Sequence, residues 1–360
     1  MSTVDFYQNE EIEDVYDSIL DRAKQALSNP EIEGTYLNSF YPTSSDGLLR
    51  VRDEISIIVQ EAEGSEVSSA MVASSGDAVL LAISEGVRKI DVFDVSQIAL
   101  AYTQLKLVAV KYLDYDDYIS IFDMNHKLNE NTVLTEGDIA KLKIPLETEG
   151  LVKLHDLMVN VLEIGALNLD YNKLVRYREV RTETSSMATP PAFSGDRKAF
   201  MHAKAQLKNN NVEASFKEID AEYIVTEEDE IYDYIFLSNI GIEFESTVGY
   251  ANWLLANDIT KKVIFTGGFW YEDSGINPTR NIIKIDDQLT FRGKPLETNA
   301  AIKRVKSKYN YPITVVYTDG NHNIHGGGLV FEATRADNLN KKLWIESRLQ
   351  RLQRFLGLEQ

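Results

Sequence analysis

SSAMVASSGDAVLLAISEGVRKIDVFDVSQIALAYTQLKLVAV, residues Ser68 to Val110, reads twice over as a short apolar run followed by a helix. SSAMVASS (Ser68 to Ser75) has the composition of a buried strand, and Asp77 to Glu85 follows as a helix with Gly86 just past its end. KIDVFDV (Lys89 to Val95) is a second strand. Ser96 to Leu113 is then a long helix that turns Ile98, Leu100, Ala101, Leu105, Val108 and Ala109 toward a core. Strands that alternate with helices in this way must run parallel, because each helix carries the chain back across the sheet.

Upstream, Ile12, Val15, Tyr16, Ile19, Leu20, Ala23 and Leu27 recur at helical spacing between Glu10 and Leu27, and Asn29 and Pro30 stop that helix. A loop, TYLNSFYPTSSDGLL (Thr35 to Leu49), leads into a helix from Leu48 to Glu61. Downstream the alternation lapses from Asp114 to about Asp196, where IAKLKIPL and LVKLHDLMVNVLEIGAL are helical and TETSSMATPPAFSG (Thr182 to Gly195) is polar, with Pro190 and Pro191. It resumes with a helix from Arg197 to Lys208 and strands at Val212 to Asp220, Tyr232 to Ile240 and Lys261 to Tyr271, with a helix around Gly249 to Ala256. Ile313 to Asp319 and Gly328 to Thr334 flank NHNIHGG as an antiparallel hairpin, and a helix from Asp337 to Leu356 closes the chain. Parallel-type strands followed by a terminal hairpin predict an α/β fold with a Rossmann-like sheet of the class I methyltransferase type, mostly parallel and interrupted by a helical insertion. The expected organisation is N-terminal helices and a lid loop over residues 1–64, then one α/β domain over 65–360, with the insertion at about 115–196.

Composition narrows the function classes. Apolar residues at 44% and charged residues at 26% suit a packed globular chain. With 37 basic and 56 acidic side chains the net charge is -19, which repels bulk nucleic acid and anionic membrane; only RVKSKY (Arg304 to Tyr309) and the tail from Lys341 to Arg354 are locally basic. Cysteine is absent, so thiol nucleophiles and thiolate metal sites are excluded. The acidic N-terminus and the lack of an apolar run of about 18 residues point to a cytoplasmic protein.

Chemistry concentrates at the ends of the first strands. Ser74, Ser75, Gly76 and Asp77 form a small-residue turn that opens a helix, where backbone N–H groups are free and a ligand can approach closely. Asp94 ends the second strand about twenty residues later, the place from which an acidic side chain accepts ribose hydroxyls in such sheets; a helix N-cap is the other reading. His322 and His325 lie three apart, but in a glycine-rich hairpin tip with no partner carboxylate, so no metal site is expected. GGFWY (Gly267 to Tyr271) offers aromatics for stacking or for the core.

The run KIDVFDVSQIALAYTQLKLVAVKYLDYDDYISIF (Lys89 to Phe122) resembles the S-adenosylmethionine:diacylglycerol 3-amino-3-carboxypropyltransferase family and its bacterial relatives, with Asp94, Gln97, Leu105, Lys106 and Tyr118 on the pattern. FYPTSSDGLL, SSGD and YDYIFLSNIG resemble further segments of that family in matching order, whereas VSQ departs from the usual asparagine and proline before glutamine and residues 123–196 do not align. The resemblance implies bound S-adenosylmethionine, with Asp94, Val95 and Gln97 along the ribose, Ser74 to Asp77 near the amino acid moiety and Asp220 near the adenine amino group. It also implies that Ser238 touches the cofactor and that Asn239 presents a hydrogen-bonding group to the reacting centre, while Tyr41, by its place in the loop before the first strand, is a candidate lid over the cofactor or a group that positions the acceptor. For these last three, a polar strand end and a core tyrosine are the plain alternatives.

The implied activity is transfer of a 3-amino-3-carboxypropyl group to an acceptor. A methyltransferase of the same fold and a non-catalytic cofactor-binding interaction module are the alternatives. A diacylglycerol acceptor fits poorly with the acidic balance and with the lack of a basic, aromatic interfacial segment, so a soluble small molecule is the expected acceptor. Leu343, Trp344, Leu349, Leu352 and Phe355 on the last helix could pack on the sheet or join two subunits.

Overall fold

A computed structural model describes residues 16–21, 24, 48–123, 133–163, 191–219, 224, 231–238, 254, 259–267 and the strand residues 282–285, 288–291, 294–295, 313–318 and 329–334. Its centre is β1 (Ser68–Val72), preceded by α1 (Leu48–Glu61) and followed by α2 (Asp77–Glu85), β2 (Lys89–Asp94) and α3 (Gln97–Tyr112). Helices α4 (Tyr115–Phe122), α5 (Glu136–Thr148), α6 (Val152–Glu163) and α7 (Arg197–Lys208) come before β3 (Glu213–Glu218), β4 (Tyr234–Ser238) and β5 (Lys262–Gly267). The remaining strands are β6 (Ile282–Ile285), β7 (Gln288–Phe291), β8 (Lys294–Pro295), β9 (Ile313–Thr318) and β10 (Leu329–Thr334).

The main sheet has seven strands in the order β3-β2-β1-β4-β5-β10-β9. Pairs from β3 through β5 are parallel, and β10 is antiparallel to both β5 and β9. Parallel strands inside a sheet are covered on both faces and read as unbroken apolar runs. β4 does so, with every residue buried, while β3 at the edge alternates buried and more exposed positions. The predicted fold class is therefore the observed one, and the terminal hairpin is present with β10 as its inner strand. The small antiparallel sheet β6-β7-β8 was not expected from the sequence.

Local signals set the helix ends. Gly86 closes α2 at φ 103, in the left-handed region where a side chain is disfavoured, and its N–H donates back to the Ala82 and Ile83 carbonyls. Ser96 caps α3 by accepting from Ala99 N–H at 3.4 Å. Thr135 and Asp138 make a reciprocal capping box at the start of α5. Arg52 of α1 pairs with Glu85 and, at 2.6 Å, with Asp196, the N-cap of α7, so one guanidinium joins three elements.

Helix α7 packs against α2 and α3, and α4 is held by aromatic contacts. Tyr118 meets Phe122, Phe193 and Phe200 at ring-centroid distances of 5.1, 6.0 and 5.4 Å. Residues 16–21 and 24 are helical with Tyr16 and Ile19 buried, in line with the leading amphipathic helix; its other residues, most of the Gly249–Ala256 helix and the closing helix lie outside the described residues. No helix among the described residues is long and apolar enough to cross a membrane.

Candidate functional site

Crossovers from β1 run outward on one side through β2 to β3, and those from β4 run on the other through β5, so the strand order reverses between β1 and β4. In open α/β sheets the crevice beyond the carboxyl ends of the strands at such a reversal is where ligands bind. Three candidate positions stand there on adjacent strands: Asp94 ends β2, Ser74 follows β1 and Ser238 ends β4.

The chain leaves β1 still tied to its neighbour, with Ala73 N–H donating to the Phe93 carbonyl at 2.8 Å, and Gly76 N–H closes a tight turn on the Ala73 carbonyl at 2.7 Å. Ser74 at φ 46 and Gly76 at φ 79 are both left-handed. For serine that conformation costs roughly 1–2 kcal/mol, so the surrounding contacts must hold it. A Cβ on Gly76 would stand 3.1 Å from the Cα and Oγ1 of Thr103. The close approach that glycine permits here is therefore made by α3, where the sequence alone suggested a ligand.

Asp94 lies beside this turn. Its Oδ2 accepts from Ser74 N–H at 3.0 Å and its Oδ1 from Ser96 N–H at 2.9 Å. It is not the N-cap of α3, a place taken by Ser96. Burial raises its pKa, partly countered by backbone N–H groups of Ser96, Ser74 and Val95. An ionised carboxylate has about four acceptor positions, and the backbone N–H groups of Ser74, Ser96 and Val95 do not fill them all, so capacity remains for a ligand hydroxyl. Ser74, Asp94 and Val95 are all partly exposed and form the open rim.

The other half of the turn faces inward. Asp77 is fully buried, and its carboxylate accepts from Lys106 Nζ at 2.8 Å, Ala192 N–H at 3.0 Å and the Ser75 hydroxyl at 2.8 Å. Lys106 is fully buried too, and lies 5.1 and 5.6 Å from the ring centroids of Tyr102 and Phe122. Desolvation lowers the Lys106 pKa, opposed by the charge and hydrogen bond of Asp77. The Tyr118 hydroxyl is buried without a hydrogen-bond partner among the described residues, and burial raises its pKa well above the phenolic range, with the Asp77 charge adding to the effect. The four turn residues that the sequence grouped are thus divided: Ser74 faces the rim, while Ser75, Gly76 and the Asp77 side chain are interior.

Gln97 is buried at the start of α3, its Nε2 donating to the carboxylate of Glu218, which pairs in register with Asp94 at the end of β3. Its Oε1 is buried with no hydrogen-bond partner among the described residues. Ser238 is buried at φ 52, beside a register shift between β4 and β5. Tyr41, Asp220, Asn239, His322 and His325 lie outside the described residues.

Lys106 was visible in the sequence only as part of a resemblance. A lysine midway along a helix buried almost all round demands a buried counter-charge, and that is the signal which could have exposed its pairing. Glu218 and the backbone of Ala192 carried no local signal.

No family model matches the chain, and no curated protein does. Among solved structures, the methyltransferase domain of bacterial CtHen1 is similar to it at a TM-score of 0.35 and 11% identity, covering 80% of this chain and 100% of that one. The small RNA methyltransferase HEN1 is similar at the same TM-score and identity, covering 81% of this chain and 26% of that one. Likeness at that level carries no argument about chemistry. The class defined by the strand order itself is a Rossmann-like sheet of the class I methyltransferase type.

Proposed function

We propose that the chain is an S-adenosylmethionine-dependent transferase whose cofactor lies across the carboxyl ends of β2, β1 and β4. The observation that carries this reading is the 3.0 Å hydrogen bond from Ser74 N–H to Asp94, which puts a carboxylate with spare acceptor positions and a small-residue turn side by side at the reversal of strand order. Asp94 would hold the ribose hydroxyls, and the partly exposed Val95 would lie against the adenosine. The orphaned Oε1 of Gln97 suits the N–H of an exocyclic amine, and Asp220 just beyond β3 is proposed to share that task.

The Ser74–Asp77 turn and the start of α2 would receive the amino acid arm, and Ser238 is proposed to close that side from β4. Bound S-adenosylmethionine supplies a carbon already activated by a sulfonium leaving group. The protein need only align an acceptor, shed water and leave the sulfonium charge unopposed at the start of the reaction. Tyr41 and Asn239 are proposed to place the acceptor. The finer reading is transfer of the 3-amino-3-carboxypropyl group to a soluble small molecule.

Calorimetry with S-adenosylmethionine tests the cofactor, and incubation with it plus a cell extract tests the group moved. Saturable binding and release of methylthioadenosine are expected. S-adenosylhomocysteine in its place would replace the finer reading with methyl transfer, neither product would leave a binding module, and absence of binding would overturn the proposal.

A further inference from the structure

We infer that Lys106 is a positioning residue for this site: through Asp77 it fixes the Ser74–Asp77 turn to the segment 191–196 and keeps the charge of the turn balanced. The inference rests on the proposed function for its ligand, but its geometry stands without one. Three donors from three separate parts of the chain converge on one carboxylate: the Ser75 hydroxyl from the turn, Lys106 Nζ from α3, and Ala192 N–H from the segment before α7. Replacing a buried ion pair by apolar groups of similar volume is often neutral or stabilising, so burial alone gives no reason for a charged pair here. Connection between distant segments does give one.

The third segment is itself anchored on its far side. Tyr115 donates its hydroxyl to the Phe193 carbonyl at 3.1 Å and accepts Gly195 N–H at 2.9 Å, while Asp196 pairs with Arg52 and caps α7. Phe193 stands at φ 74, a left-handed conformation that these contacts over-determine. The Asp77 carboxylate is therefore the joint at which a ligand-bearing turn and a braced segment meet. Its charge also matters to a ligand. An Asp77 without the Lys106 cation would set a net negative charge at the start of α2, where the carboxylate of an amino acid arm is proposed to lie, and would oppose the attraction of the helix terminus for that group.

The test compares Lys106→Met, which strands the Asp77 charge, with Asp77→Asn/Lys106→Met, which removes the charge of both partners. Each is read by thermal melting, by amide exchange over Ser74–Asp77 and at Ala192, and by the Kd for S-adenosylmethionine. The single variant should melt well below the parent, and the double variant should recover most of that loss. If the pair positions the site, the double variant still shows faster exchange at Ala192 and a Kd raised by about tenfold or more, the scale of one lost charge-assisted hydrogen bond. A pair that only supports the fold would return exchange and Kd to parental values together with the melting temperature, and that result overturns the inference. Should the double variant not fold, Ala192→Pro deletes the one N–H and spares the pair; a parental Kd there is equally fatal. If the parent itself binds no S-adenosylmethionine, the proposed function falls and amide exchange alone decides the positioning role.

Discussion

Asp77 opens the helix that follows β1 and Asp94 ends the adjacent parallel strand β2, yet their surroundings are opposite. Asp77 is sealed among Lys106, Ser75 and the Ala192 backbone, with a full positive charge as its partner. Among the described residues Asp94 meets only backbone N–H groups, and it keeps partial access to solvent. On the proposed function, the matched carboxylate serves the scaffold and the unmatched one keeps capacity for a ligand. Burial and the nature of the partner separate the two roles; position relative to a strand does not.

The sharpest way to break this comparison is to truncate both. Asp77→Ala takes from the buried Lys106 the carboxylate it is paired with, a change worth about 3–5 kcal/mol. Asp94→Ala orphans N–H groups at a rim that water can reach, so it should lose less than half as much stability in urea unfolding while abolishing cofactor binding in calorimetry. Equal losses of stability would mean that both aspartates are scaffold. Next in size, Gly76→Ala combines a left-handed φ with a Cβ at 3.1 Å from the Thr103 backbone. It should cost about 2–5 kcal/mol, the sum of backbone strain and local overpacking. A neutral Gly76→Ala would show that α3 yields easily, and that the turn is softer than the comparison requires.

The sequence carried the parts of this picture that are local. The α2 boundaries were readable from a helical period closed by Gly86, and α7 from its apolar spacing ahead of Asn209 and Asn210. Asp94 was readable because its distance from the turn is set by one strand-helix-strand unit. The β6-β7-β8 sheet was not, since strands of four, four and two residues are too short to develop an alternation. Nor was the fate of Asp77. Its partners beyond Ser75 lie 29 and 115 residues away, and the packing of α3 against α2 and the return of the chain at Ala192 bring them together. A charge beside a glycine turn looks the same in sequence whether it faces a ligand or a buried lysine.

Proton linkage gives the smallest effect, and it sharpens the contrast by sign. Burial raises the Asp94 pKa, only partly countered by the N–H groups of Ser96, Ser74 and Val95. The folded state therefore holds this proton more tightly than the unfolded chain does. The stability that Asp94 contributes is full below the ordinary carboxylate range and is lost as pH rises through its raised folded value. Asp91, on the same strand, behaves in reverse: burial pushes it up, but hydrogen bonds from Ser215, Tyr232 and Lys217 and the Lys217 charge hold it below the usual value. Its contribution is present above that range and disappears as pH falls through the lowered folded value. Urea midpoints measured across the acid range should accordingly change in opposite directions for Asp94→Asn and Asp91→Asn. Ligand binding gives a second reading of the same proton. Ribose hydroxyls donate more strongly to the ionised carboxylate than to the neutral acid, so S-adenosylmethionine should draw the Asp94 pKa down and expel a proton near its raised value. The apparent binding enthalpy would then vary with the ionisation heat of the buffer in the parent and not in Asp94→Asn; a parent indifferent to buffer would place the ribose elsewhere.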